Sequence, residues 1–188
     1  MCARKDTTLK ILLRTAEAVA NVISVGAMGM DMHLVPEGFF VTSASAFSKI
    51  SDLNAFDKAL IKMGIGEQNL VAVSSVIPAG AKEIGITELP MGSITHCVLS
   101  QIRGSEDEII SAGIAYAFRR DGKGGYVAEG SIHGPKASLI DALEQKMKEI
   151  AKCRGAELKE IRYLTEELTV PKGHYGACVA ALVFTGYG

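Results

Sequence analysis

The chain has 188 residues, 48% of them hydrophobic and 22% charged, with 20 Lys and Arg against 21 Asp and Glu and a net charge of -1. That length suits one domain with a substantial core and is short for two. The near-neutral balance, with no basic run interleaved with aromatics, leaves no electrostatic footprint for nucleic acid.

The first 31 residues differ from the rest. Arg4, Lys5 and Lys10 stand against a single acid, Asp6, and the apolar and small residues from Leu9 to Ile23 are broken by Lys10, Arg14, Glu17 and Asn21. A bilayer-spanning helix needs about 20 predominantly apolar residues, and a leader needs an unbroken apolar centre, so neither fits. Residues 1–31 read as an N-terminal extension, either an extra amphipathic helix or a translated upstream stretch, with Met32 as an alternative start. Residues 32–188 read as a single domain.

Within that domain "FFVTSA" predicts a strand and "SDLNAFDKALIKMGIG" a helix. Asn54 is its expected N-cap with Asp57 three residues later, and its apolar face is Phe56, Ala59, Leu60 and Met63, ending at Gly64. A strand begins at Asn69, is apolar from Leu70 to Val73, and then meets Ser74, Ser75 and a barrier to continuation at Pro78. Strands are expected near 94–102 and 125–132, the second after the turn "DGKGG". "GSEDEIISAGIAYAF" predicts a second helix, with Ser105 and Glu108 as a capping box ahead of Ile109, Ala112, Gly113 and Tyr116.

A third helix is expected through "PKASLIDALEQKMKEIAKCRG", with Leu139, Leu143, Met147 and Ile150 inward and Gly155 as terminator. "ELKEIRYLTEELTV" and "HYGACVAALVF" read as strands joined at Pro171–Gly173, the last apolar on both faces and hence covered on both sides. Helices and strands mix without strict βαβ alternation, which points to an α+β layered sandwich. There is no internal repeat and no linker.

Cys2, Cys97, Cys153 and Cys178 are far apart, as expected of reduced thiols in a cytoplasmic protein. His33, His96, His133 and His174 lack metal-ligand spacing, so no metal is assigned. "GIGEQN" lacks the third glycine of a dinucleotide fingerprint and follows a helix, so it reads as a helix exit. The serine pair has a structural reading too, as two polar residues where a strand leaves its sheet.

The surrounding text shifts that balance. "NAFDKALIKMGIGEQNLVAVSSVIP", then "LPMGS", then "YVAEG" resemble, in order, the pyruvoyl-dependent arginine decarboxylases over residues 38–186. The resemblance implies a four-layer αββα sandwich, as in pyruvoyl-dependent histidine and arginine decarboxylases, assembled as a homotrimer or a multiple of trimers with active sites between subunits. It implies self-cleavage between Ser74 and Ser75, Ser75 becoming a covalent pyruvoyl group, with neither PLP nor metal. Asn69 matches the asparagine that assists cleavage, and Glu129 the acid that protonates the product carbon, a role suited to an apolar, closed setting. Asp57, Gly66 and Gln68 match the substrate end of the pocket, Asp57 receiving the guanidinium of arginine.

The implied activity is conversion of L-arginine to agmatine and carbon dioxide, feeding polyamine biosynthesis in the cytoplasm. Two alternatives stand beside it: the same pyruvoyl chemistry on another amino acid, and an unprocessed trimeric small-molecule-binding protein of the same fold. Each residue also has a plainer reading. Asn69 could be a strand-entry residue holding a turn, Asp57 a carboxylate over a helix start, and Glu129 a solvated acid near a strand end.

Overall fold

A computed structural model describes residues 33–187; the reading of residues 1–31 lies outside them. In chain order the elements are β1 (Pro36–Ser48), α1 (Asp52–Lys62), β2 (Asn69–Ala72), β3 (Val76–Ile77), β4 (Lys82–Glu83), β5 (Ile94–Gly104), β6 (Ile109–Phe118), β7 (Gly125–His133), α2 (Lys136–Cys153), β8 (Arg162–Thr169) and β9 (Tyr175–Tyr187). One sheet has the order β2-β5-β9-β1-β4 and the other β3-β7-β6-β8.

The layers follow from which side chains each strand sends to which face. In the central strand β9, Val179, Ala181 and Val183 pack with Phe40, Ala59 and Met63, under α1. Ala180, Leu182 and Phe184 point the other way and meet Ile114, Tyr116 and Val127 of the second sheet. The far face of that sheet, through Ala115, Ala117, Tyr126 and Ala128, is covered by Leu139, Leu143 and Met147 of α2. The order is helix, sheet, sheet, helix, the αββα sandwich expected, and β9 is apolar on both faces because both are covered.

The expected second helix is a strand. Glu108 does reach back to the Ser105 N–H (2.6 Å), as in a capping box, but Asp107 adopts a left-handed conformation (φ 64°) where the chain turns from β5 of one sheet into β6 of the other. Ile109, Ala112, Gly113 and Tyr116 therefore lie along β6, paired with β7 and β8. The first helix also starts earlier than expected. Ser51 is its N-cap, accepting from the Asn54 N–H at 3.1 Å, so Asp57 lies beyond the capping turn. Strand β8 begins at Arg162, not at Glu157; the stretch before it makes only a bridge from Leu158 to Arg119.

Candidate active site

β2 ends at Ala72 on the edge of one sheet and β3 begins at Val76 on the edge of the other, so residues 73–75 carry the chain between sheets. The Val73 N–H donates to the Cys97 carbonyl (3.0 Å), continuing the pairing with β5, while the Ser75 carbonyl already accepts from the Val127 N–H (3.0 Å) of β7. The two serines are the crossover itself. The Ser74 carbonyl accepts from the Val76 N–H at 3.0 Å. This bond from residue i+2 back to i curls the backbone into a γ-turn centred on Ser75.

Glu129 reaches this turn by strand alternation. On β7 the side chains of Tyr126 and Ala128 face α2 and that of Val127 faces the other sheet, so Glu129 shares the side of Val127. Ser75 Oγ donates to Glu129 Oε2 at 2.7 Å. The closed apolar setting expected from "YVA" is not formed within one chain: Glu129 is exposed, because Tyr126 and Ala128 point to the opposite face.

Asn69 stands elsewhere. Its Nδ2 donates to the Gly92 carbonyl (2.8 Å) and its backbone N–H to the Ser93 carbonyl (2.9 Å), pinning the "LPMGS" turn, in which Gly92 has φ 76°. Extended chain advances about 3.3 Å per residue, so the five residues from Asn69 to Ser74 span up to roughly 16 Å. Gly66 and Gln68 line a separate cavity of about 220 Å³ with Glu67 and Glu88. Gln68 Nε2 donates to the Leu89 carbonyl (3.0 Å), while its buried Oε1 has no partner among the described residues. Asp57 is exposed on α1 and lines neither cavity.

The family model for pyruvoyl-dependent arginine decarboxylase matches residues 38–188. The chain belongs to this family. Proteins named pyruvoyl-dependent arginine decarboxylase share 36% identity with it in Pyrococcus abyssi, over 77% of this chain and 92% of the relative, and 34% in Methanothermobacter thermautotrophicus, over 77% and 93%. The Methanopyrus kandleri protein of the same name is 33% identical over 81% of this chain and 99% of its own.

The cavity of this decarboxylase-family chain at the serine pair, about 490 Å³, holds residues that the sequence reading passed over. Beside Ser74, Ser75 and Glu129 it is lined by Lys146, Glu149, Cys153 and Arg154. The first three are spaced three and four apart, one face of α2. Lys146 Nζ donates to the Glu129 carbonyl (2.8 Å), and Cys153 Sγ donates to Glu149 Oε1 (3.3 Å). The Glu149 carboxylate holds the Cys153 thiol above its ordinary range, through that hydrogen bond first and its charge second. The Arg154 guanidinium stacks 4.8 Å from the centre of the Tyr126 ring. The only signal for these residues was their spacing beside the inward stripe of Leu139, Leu143 and Met147.

Proposed function

We propose that this chain is a self-processing, pyruvoyl-dependent decarboxylase that converts L-arginine to agmatine and carbon dioxide, a step toward polyamines, in the cytoplasm. The observation that carries the reading is the Ser75–Glu129 hydrogen bond (2.7 Å) in a turn that leaves Ser74 accessible. The Ser75 hydroxyl, oriented by Glu129, adds to the Ser74 carbonyl carbon, and its proton passes to the departing Ser75 nitrogen; an ester replaces the amide. The Val76 N–H, already bonded to the Ser74 oxygen, meets the negative charge that develops there. Loss of the Cα proton of residue 75 expels the Ser74 carboxylate and leaves dehydroalanine, which takes up water and releases ammonia. Residue 75 is then a pyruvoyl group, and residues 32–188 remain one domain in two chains.

These residues fit such a group: the serine pair is accessible, its carbonyl has a donor in place, and a carboxylate stands at Ser75. The chemistry the group supplies is an electron sink for the pair released as carbon dioxide leaves, without metal or PLP. Glu129 then holds the proton that goes to the substrate Cα. At the substrate end, Gln68 Oε1, unpartnered among the described residues, and the exposed Asp57 carboxylate suit a guanidinium, which is all donor.

Asp57, Gly66, Gln68 and Asn69 stand apart from Ser75 within one chain, which supports a homotrimer, or a multiple of trimers, whose sites combine two subunits. Val71, Met91 and Ile94, exposed around Asn69, supply apolar surface for such a contact.

The test is the intact mass under denaturing conditions together with agmatine formation from arginine. Cleavage divides 19.9 kDa into chains of about 8 and about 12 kDa, the larger with a blocked N-terminus. Cleaved protein that turns over ornithine, lysine, histidine or aspartate in place of arginine would move the substrate. A single full-length mass with no turnover would leave an unprocessed trimeric binding protein.

A further inference from the structure

We propose that Lys146 is a positioning residue that holds Glu129 on Ser75. The inference rests on the function proposed above. Along an antiparallel strand the N–H and C=O of one residue point to the same edge, and alternate residues share that edge. The Val127 N–H donates to the Ser75 carbonyl, so the Glu129 carbonyl, two residues on, faces the edge that β3 occupies farther back. The crossover begins there and supplies no strand partner. Lys146 Nζ takes that place, donating to the Glu129 carbonyl at 2.8 Å from the cavity-facing side of α2.

The next residue shows why α2 can come this close. A Cβ on Gly130 would stand 3.2 Å from Leu139 Cδ1, 3.3 Å from Leu143 Cδ2 and 3.4 Å from Lys146 Nζ. The Gly130 carbonyl is held separately by Ser100 Oγ, at 2.5 Å. The backbone on either side of Gly130 is thus anchored by two donors, one from α2 and one from β5. That anchorage fixes the origin of the Glu129 side chain and so the approach of its carboxylate to Ser75 Oγ. Without Lys146 the β3-side edge of β7 loses its donor at Glu129, and the strand is held there from its other edge, by the pairing with β6.

The experiment compares Lys146→Met, Lys146→Arg and Lys148→Met with the unaltered protein. It reads the rate of cleavage by intact mass, kcat and KM for arginine, and folding by circular dichroism. Lys148 lies on the same helix but pairs with Glu144 (2.8 Å) and does not touch Glu129. A displacement of the order of 1 Å at a reacting group costs up to about a hundredfold, so Lys146→Met should slow both cleavage and kcat about tenfold with KM little changed. Lys146→Arg should recover most of both, and Lys148→Met should behave as the unaltered chain. Lys146→Gln, too short to reach the carbonyl, gives the same reading if the methionine variant misfolds.

The inference is overturned if Lys146→Met cleaves and turns over within about twofold of the unaltered chain, if only KM changes, or if Lys148→Met loses as much. If the unaltered protein itself fails to cleave, the proposed function falls first. If it cleaves and decarboxylates while Lys146→Met matches it, only the role of Lys146 falls.

Discussion

Ser75 Oγ and Glu129 Oε2, 54 positions apart in sequence, stand 2.7 Å from each other where the chain passes from one sheet to the next. Nothing in the described core depends on the Ser75 hydroxyl: it is half-buried and, among the described residues, bonded only to an exposed carboxylate. Ser75→Ala should therefore fold normally and remain a single 19.9 kDa species, with no cleavage and no agmatine formed. Circular dichroism and intact mass check both halves, and normal decarboxylation by this variant would refute the proposed chemistry.

Glu129→Gln separates two roles of one side chain. A glutamine amide oxygen can still accept from Ser75 Oγ, so the hydroxyl stays aimed and cleavage should proceed. An amide has no carboxylic proton to deliver, and general acid catalysis is worth about 10² to 10⁴-fold. The cleaved variant should lose kcat by about that much with KM for arginine little altered. Steady-state kinetics on protein already shown to be split provide the measurement.

Both variants were conceivable from sequence, but the reason for the serine pair was not. "NLVAVSSVIP" looks like a strand interrupted by polar residues, whereas Val73, Ser74 and Ser75 are the passage between sheets, visible only once β2 and β3 are assigned to different ones. α2 was legible because one face carries Leu139, Leu143 and Met147 while the opposite face stays polar. Ile109–Phe118 was not, because the first sheet covers one side of β6 and α2 the other. With both faces apolar, neither period stands out, and a Glu108 side chain folded back on Ser105 looks the same before a helix as in a turn between two sheets. Lys146 was missed for a similar reason: its partner is a backbone carbonyl, which no residue pattern records.

The distance between the two halves of the candidate site gives a test of assembly. Ser75 and Glu129 lie at one cavity, Gly66 and Gln68 at another, and Asp57 at neither. If the site forms between subunits, a Ser75→Ala chain contributes an intact substrate end and an Asp57→Asn chain an intact serine pair. Each variant alone should be nearly inactive, but co-expressed chains should recover a measurable fraction of activity in mixed assemblies. Agmatine formation by co-purified, differently tagged chains reads this out. Mixed assemblies no more active than the parents would place the whole site within one subunit.

Cys153 offers a probe of the cavity that leaves the serines untouched. Burial pushes the Cys97 thiol up to about 11 and Cys178 up to about 12, and both are enclosed in the core, so neither should react with an alkylating agent near neutral pH. Cys153 is exposed at the cavity wall, but the Glu149 carboxylate accepts its S–H and raises its thiol range, so its reaction should be slow and should quicken as pH rises. Glu149→Gln removes the charge that disfavours the thiolate, so at a given pH its Cys153 should label faster. Because Cys153 shares the cavity with Ser74, Ser75 and Glu129, a carbamidomethyl group there should block arginine turnover, and Cys153→Ser should be protected. Peptide mapping assigns the label, separating Cys153 from Cys2, while agmatine formation on the same samples measures the block. Full activity after complete labelling at Cys153 would mean that substrate does not use this cavity.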